Sequence, residues 1–285
     1  MRHIAILLIS LLGLSATLVA QRPGERAHGP KKVEPIDQSE ADAFVEDFRN
    51  QRLRGDYIFL FNLNHFERRG GEVPYEGILW GTWNVEGPVN RVSVWPRGQR
   101  KTHSRDFIVQ GGAEPKIWSL EDGEVVELKA KDQGKPFFKG MVYTPYDVVM
   151  PFAYWEMFDY TGSKRVRGRP AHQFVFYAPG DVTQRMPDLA AVELVLDADF
   201  NAPIKAAMLD VNGEDLRTMD FSGFKEINEQ YIVKEIDLID ERTRDYTRFR
   251  VTDAALGLDL PAEVFEPRDL SEGVPSLTRV IFEPV

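Results

Sequence analysis

The chain reads as a mainly β protein, an α+β fold of antiparallel strands with two or three helices, and three observations carry that reading. Short runs rich in β-branched and aromatic residues follow one another from residue 56 to residue 252, separated by turn residues. Apolar and charged residues alternate in Val192-Glu193-Leu194-Val195-Leu196 and in Tyr231-Ile232-Val233-Lys234-Glu235-Ile236-Asp237-Leu238, so one face of each strand is apolar and the other meets water. Hairpin signals at Glu121-Asp122-Gly123, Asp210-Val211-Asn212-Gly213 and Ile227-Asn228-Glu229 make the connections local and antiparallel.

Taken in order, the first element stands apart from the fold. Arg2 and His3 precede an uncharged apolar stretch from Ile4 to Ala20, and Gln21-Arg22-Pro23 returns to polar sequence, the pattern of an export signal over 1–20 with cleavage before Gln21. An uncleaved membrane anchor is the alternative, although the stretch is short for a spanning helix. Residues 21–36 mix prolines, glycines and charges without an apolar period and read as a flexible linker, leaving 37–285 as a single domain. Ser39 with Asp42 resembles a capping box, and Ala41, Phe44, Val45 and Phe48 share one face, which predicts an amphipathic helix over 39–52. Strands are expected at 56–63, 75–85, 89–96, 105–110, 115–120, 123–130, 157–161, 171–178, 191–197, 203–210, 215–226, 231–239 and 244–252. The segment 144–155, TPYDVVMPFAYW, breaks the rhythm: Thr144 can cap, Pro145 suits the first helical position and Asp147 complements the dipole. It predicts a short, unusually apolar helix interrupted at Pro151. LPAEVF at 260–265 suits one helical turn.

With 285 residues, 43% of them hydrophobic and 11% aromatic, the chain can bury a substantial core. A net charge of −10 repels nucleic acid and anionic membrane surfaces. The absence of cysteine excludes disulfides, a lipidated N-terminal Cys, thiol catalysis and thiolate metal sites.

No motif carries catalysis or calls for a cofactor. The histidines, at 3, 28, 65, 103 and 172, share no metal-site spacing. Ser104 beside His103 lacks a nucleophile elbow. Asp197 and Asp199 sit in LDADFNAP, where turn chemistry explains both carboxylates as well as a catalytic pair would. Lys164, Arg165, Arg167 and Arg169 form a basic run about Gly168, in which strand alternation puts Arg165, Arg167 and Arg169 on one solvated face, placed to meet the acidic residues of 237–241, with an anion or headgroup site as the alternative. The aromatics are more informative, because Trp80, Trp83, Trp95, Trp118 and Trp155, with Phe137, Phe138, Phe152, Tyr154, Phe158, Phe174 and Phe176, exceed what one thin sheet needs. Either a closed core absorbs them, or the sheet curves around an apolar cavity suited to acyl chains.

TPYDVVMPFAYW, Tyr160, RVRGRPAHQFVFYAP, LVLDADFNAPIKAAMLDVNGEDLRTMDF and YIVKEIDLIDERTRDYTRFRVTDAALGLDLPAEVF together resemble uncharacterised branches of the LolA-like outer-membrane lipoprotein-sorting superfamily. GDYIFLFNL and YEGILWGTW are compatible with that family's first strands. The resemblance implies a strongly curved antiparallel sheet forming an incomplete barrel, with two or three helices over its concave face. It also implies a non-enzymatic periplasmic protein that holds lipid or lipoprotein acyl chains, with envelope membrane proteins as further partners. A sensor binding a polypeptide on the same sheet is the alternative. The expected apolar lining is Trp80, Trp83, Phe152, Trp155, Phe174 and Phe176. The basic, apolar, polar order of the N-terminus predicts that the exported chain starts near Gln21 and stays soluble. N-terminal sequencing that returned Met1 from a membrane fraction would favour the anchor instead.

Overall fold

Asp37 starts the first helix, α1 (Gln38–Asn50): its carboxylate accepts the Glu40 backbone N–H at 2.9 Å, and Glu40 reaches back to the Asp37 N–H at 3.0 Å. The cap is thus two residues earlier than the Ser39 expected, because aspartate with glutamate at the third position makes the same reciprocal box. Ala41, Val45 and Phe48 are buried on the inward face of α1 and Phe44 is half-buried beside them. The structure, a computed structural model, describes residues 33–273 and 275–285, so the segment 1–20 and most of the linker lie outside it.

Strands β1 (Asp56–Phe66), β2 (Glu72–Asn84), β3 (Gly87–Pro96), β4 (Arg105–Gln110), β5 (Lys116–Glu121) and β6 (Glu124–Glu127) form one antiparallel meander. Strands β7 (Phe158–Val166), β8 (Arg169–Tyr177), β9 (Ala191–Asp197), β10 (Pro203–Leu209), β11 (Asp215–Ile227), β12 (Gln230–Asp240) and β13 (Tyr246–Leu258) form a second. Pairing of β1 with β13 joins them into a single sheet in the order β6-β5-β4-β3-β2-β1-β13-β12-β11-β10-β9-β8-β7, and β14 (Glu283–Pro284) adds to β13. The sheet is curved and does not close, an incomplete barrel. Register shifts in the β1–β13, β7–β8, β9–β10 and β10–β11 pairs supply local bends, since each bulge adds a residue to one strand and increases twist.

Every strand expected from the sequence forms, and most differences lie in single-turn elements. Thr144 and Asp147 cap as expected, Thr144 Oγ1 accepting the Asp147 N–H at 3.3 Å while the Asp147 carboxylate accepts the Thr144 N–H at 2.9 Å. The segment then forms two 3-10 turns, Pro145–Val149 and Pro151–Tyr154, in place of one helix. Pro151 cannot continue the hydrogen-bond ladder, and Met150 before it takes a left-handed conformation at φ 42°. The Lys164–Arg169 run is a hairpin and not one strand face: Arg167 and Gly168, at φ 51° and 83°, turn β7 into β8. Arg167 pairs with Asp220 at 3.1 Å, Arg169 with Asp197 at 2.6 Å and Lys164 with Glu193 at 3.2 Å, so these partners lie on β9 and β11 and not at 237–241.

Both faces of the sheet are covered. On the concave face, α1, the 3-10 turns and the loop before them bury one large cluster with Phe59, Phe61, Leu63, Phe174, Phe176, Leu194 and Leu238. On the other face, Ile58, Ile78, Trp80 and Trp95 pack under a C-terminal strap that contributes Val264, Phe265, Val280 and Phe282. Arg91, only 2% exposed, projects from β3 into that strap and donates to the carbonyls of Val264, Leu270 and Gly273 at 3.4, 3.3 and 2.6 Å. Burial lowers the Arg91 pKa while Asp106 and Asp269 act in the opposite direction.

The concave cover is fixed by one buried ion pair. Arg217 on β11 donates in fork geometry to both Asp147 oxygens, each at 3.1 Å, and Asp147 has no exposed side-chain surface. Replacing Asp147 by Ala strands the guanidinium in the interior and removes the cap. Urea unfolding of Asp147→Ala is expected to show a loss of about 3–5 kcal/mol.

Candidate functional site

An apolar cavity of about 110 Å³ lies between the concave sheet and its cover. Its walls come from β1, β2, β3, β12 and β13, and its roof from the end of α1 and the 3-10 turns. Strand register orders it from one end to the other. In the first row Tyr57 pairs with Gly81, which pairs with Asn90; in the next, Phe59 pairs with Leu79, which pairs with Val92. Deeper still, Phe61 faces Val251 and Leu63 faces Phe249 across the β1–β13 seam. Along these strands the polar side chains lie at the end formed by the start of β1 and aromatic and aliphatic groups line the remainder, where the Tyr143 ring stacks on Phe249.

Two glycines shape that wall. A Cβ on Gly77 would lie 2.2 Å from the Phe61 ring, and one on Gly81 would lie 2.0 Å from the Tyr57 ring. Both rings thus lie over glycine backbone on the neighbouring strand, occupying space that a side chain would fill. Tyr57 donates to Asn90 Oδ1 at 3.0 Å, and burial pushes its phenol pKa up.

The roof is held at the mouth by Arg49 of α1, which donates to the carbonyls of Ala153 and Trp155 at 2.7 and 2.6 Å. Its guanidinium lies 5.7 Å from the Phe158 ring centre, and burial lowers its pKa. Arg52, Tyr154, Thr82 and Trp83 complete the mouth.

The expected lining residues separate into three groups. Trp83 borders the cavity. Phe152, Trp155, Phe174 and Phe176 belong to the same buried cluster but pack beside the cavity without lining it. Trp80 points to the opposite face and packs under the C-terminal strap. Residues that reasoning from sequence did not single out, among them Tyr57, Phe59, Phe61, Leu79, Val251 and Phe249, supply much of the wall. For β1 the usable signal was the alternation within DYIFLFNL, of which Tyr57, Phe59, Phe61 and Leu63 face inward.

The other clusters resolve into structural roles. The Asp197 carboxylate accepts the backbone N–H groups of Asp199 and Phe200 at 3.0 and 2.9 Å, an Asx turn, besides its pairing with Arg169. Ser104 donates to Asp106 at 2.6 Å, while the His103 ring meets Thr102 at 2.8 Å. Among the described residues no group of His, Asp and Glu is arranged to hold a metal, and no helix is long and apolar enough to cross a membrane.

Comparison with solved structures places this architecture. A putative outer-membrane lipoprotein-sorting protein domain from Vibrio parahaemolyticus superposes with a TM-score of 0.66 at 15% identity, over 82% of this chain and 96% of that one. A DUF1329 family protein from Desulfovibrio piger gives 0.67 at 11% identity, over 81% and 98%. A LolA superfamily protein from Nitrosomonas europaea gives 0.60 at 14% identity, over 79% and 97%. The chain therefore has the LolA-like fold. A family model described as an uncharacterised protein matches residues 183–272, and no curated protein matches the chain.

His172 offers a handle on the docking of α1. Its ring Nδ1 lies 3.1 Å from Tyr160 Oη, and Phe44 of α1 meets the ring edge-on at 5.1 Å. Burial depresses its pKa below the ordinary 6.5, with Glu40 of α1 opposing that shift. Between the depressed folded value and 6.5 the unfolded chain binds more protons, so stability is complete above that window and falls as pH drops through it. Thermal unfolding midpoints of His172→Gln are expected to fall less than those of the parent on acidification across this range.

Proposed function

We propose that this chain is an exported periplasmic protein that holds the acyl part of a lipid or lipoprotein between its curved sheet and its cover, without catalysing a reaction. The observation that carries the reading is the enclosed cavity with aromatic walls and a polar mouth at one end. An acyl chain needs only non-directional burial, and such a wall supplies it. The fold shared with a putative lipoprotein-sorting domain supports the same class of ligand.

The cavity volume bears on how the ligand enters. About 110 Å³ is well below the ~300–1,000 Å³ usual for small-molecule pockets, so this reading requires an open form besides the closed one described. A longer chain requires α1 or the 3-10 turns to move outward. Burying ten methylenes is worth about 8 kcal/mol, whereas re-exposing Val45 and Phe48 of α1 costs about 3–6 kcal/mol. Chain burial can therefore offset partial release of the helix.

A fluorescent fatty acid titrated into the mature protein is expected to bind saturably. Filling the wall with Leu79→Trp should weaken binding at least roughly tenfold, while the stability loss stays near the ~1–3 kcal/mol usual for overpacking. Absence of saturable binding at micromolar protein would leave the covered sheet to a polypeptide partner.

A further inference from the structure

The mouth of the cavity carries three polar groups that the protein itself does not use. Arg52 is exposed, lines the cavity and makes no hydrogen bond or ion pair among the described residues. Asn90 is 4% exposed, and while its Oδ1 accepts from Tyr57, its Nδ2 has no partner among the described residues. The Tyr154 hydroxyl likewise has no hydrogen-bond partner there. Each still reaches solvent, and donors left unpartnered at one end of an apolar cavity fit a ligand that ends in acceptors.

The sign of the charge follows from Arg52 itself, the carboxylates nearby in sequence having other partners. Glu46 is within 4.0 Å of Arg49, and Asp56 is occupied by Thr82 Oγ1 at 2.6 Å and the Leu260 N–H at 2.7 Å. Arg49, placed in the last turn of α1, already complements the helix dipole. The Arg52 guanidinium has no ion-pair partner among the described residues and lies beside an apolar opening. The small cavity also favours one narrow chain over several lying side by side.

We propose that the preferred ligand is a single-chain amphiphile with an anionic head, its tail along Phe59, Phe61 and Phe249 and its head on Arg52, with Asn90 Nδ2 donating to an oxygen near the head. The inference rests on the acyl-binding reading above and adds head-group charge and chain number to it. A carboxylate and a phosphate monoester share the required chemistry.

The test compares dodecanoate, dodecyl phosphate and 1-dodecanol, the anions below their micellar concentrations and the alcohol below its solubility limit, by calorimetric titration into the mature protein and into Arg52→Gln. Both anions should bind the parent roughly threefold to tenfold more tightly than the alcohol, the range expected for a charge-assisted contact at a solvated site. That preference should shrink in high salt and vanish in Arg52→Gln. The better-bound anion identifies the head group. Equal binding of alcohol and anions, or a preference that survives in Arg52→Gln, would overturn the inference and leave acyl binding standing. If none of the three bound saturably, the acyl-binding reading would fall and this inference with it.

Discussion

The covered architecture depends on the buried Asp147–Arg217 pair. Between β6 and β7 the chain runs for thirty residues with only single-turn helical elements, which cannot hold themselves in place. Asp147 converts the Thr144 cap into an anchor, because its oxygens accept from the Thr144 backbone, the Thr144 hydroxyl and both arms of Arg217. The full set of donors compensates for burying the carboxylate, and the fork geometry sets the height of the roof above β11. Arg49 then ties α1 to the same roof through the Ala153 and Trp155 carbonyls. The two cover elements thus bear on one another as well as on the sheet.

The opposite face is secured by a different device. Arg91 has no carboxylate within ion-pair distance among the described residues and spends its donors on strap carbonyls. A guanidinium can serve several carbonyls from one point, so a strap with little regular structure can still bury Trp80, Trp95 and Ile78. Charge thus works on both sides of the sheet as a fastener for segments that lack ladders of their own. The concave side retains free volume and the strap side is filled by its own chain.

Strand positions were legible because a period of two, punctuated by turn residues, survives in sequence even where strands are long and bulged. The Thr144–Asp147 cap was legible for a similar reason, since its donors and acceptors lie within four residues. Facing was harder. In β2, Ile78, Leu79 and Trp80 run apolar without a break because the strap buries what would otherwise be a wet face, so alternation could not tell Trp80 from Trp83. The Arg167-Gly168 hairpin was hidden by a charge run whose even spacing imitated one strand face, although glycine after a turn-tolerant residue was the available signal. Arg52, Asn90 and Tyr154 come from a loop, a strand and a 3-10 turn far apart in sequence and carry no spacing that links them.

That last point bears on how a binding site arises on this fold. The strand register places Tyr57, Gly81 and Asn90 in one row, and the small volume of Gly81 is taken by the Tyr57 ring, which in turn engages Asn90 Oδ1. Orienting the amide this way leaves its Nδ2 unpaired beside the mouth. A side chain at residue 81 would displace the ring, release Asn90 and remove the order of polar and apolar rows along the wall. The polarity of the cavity is thus a consequence of backbone shape in β2, transmitted across three strands by one aromatic ring.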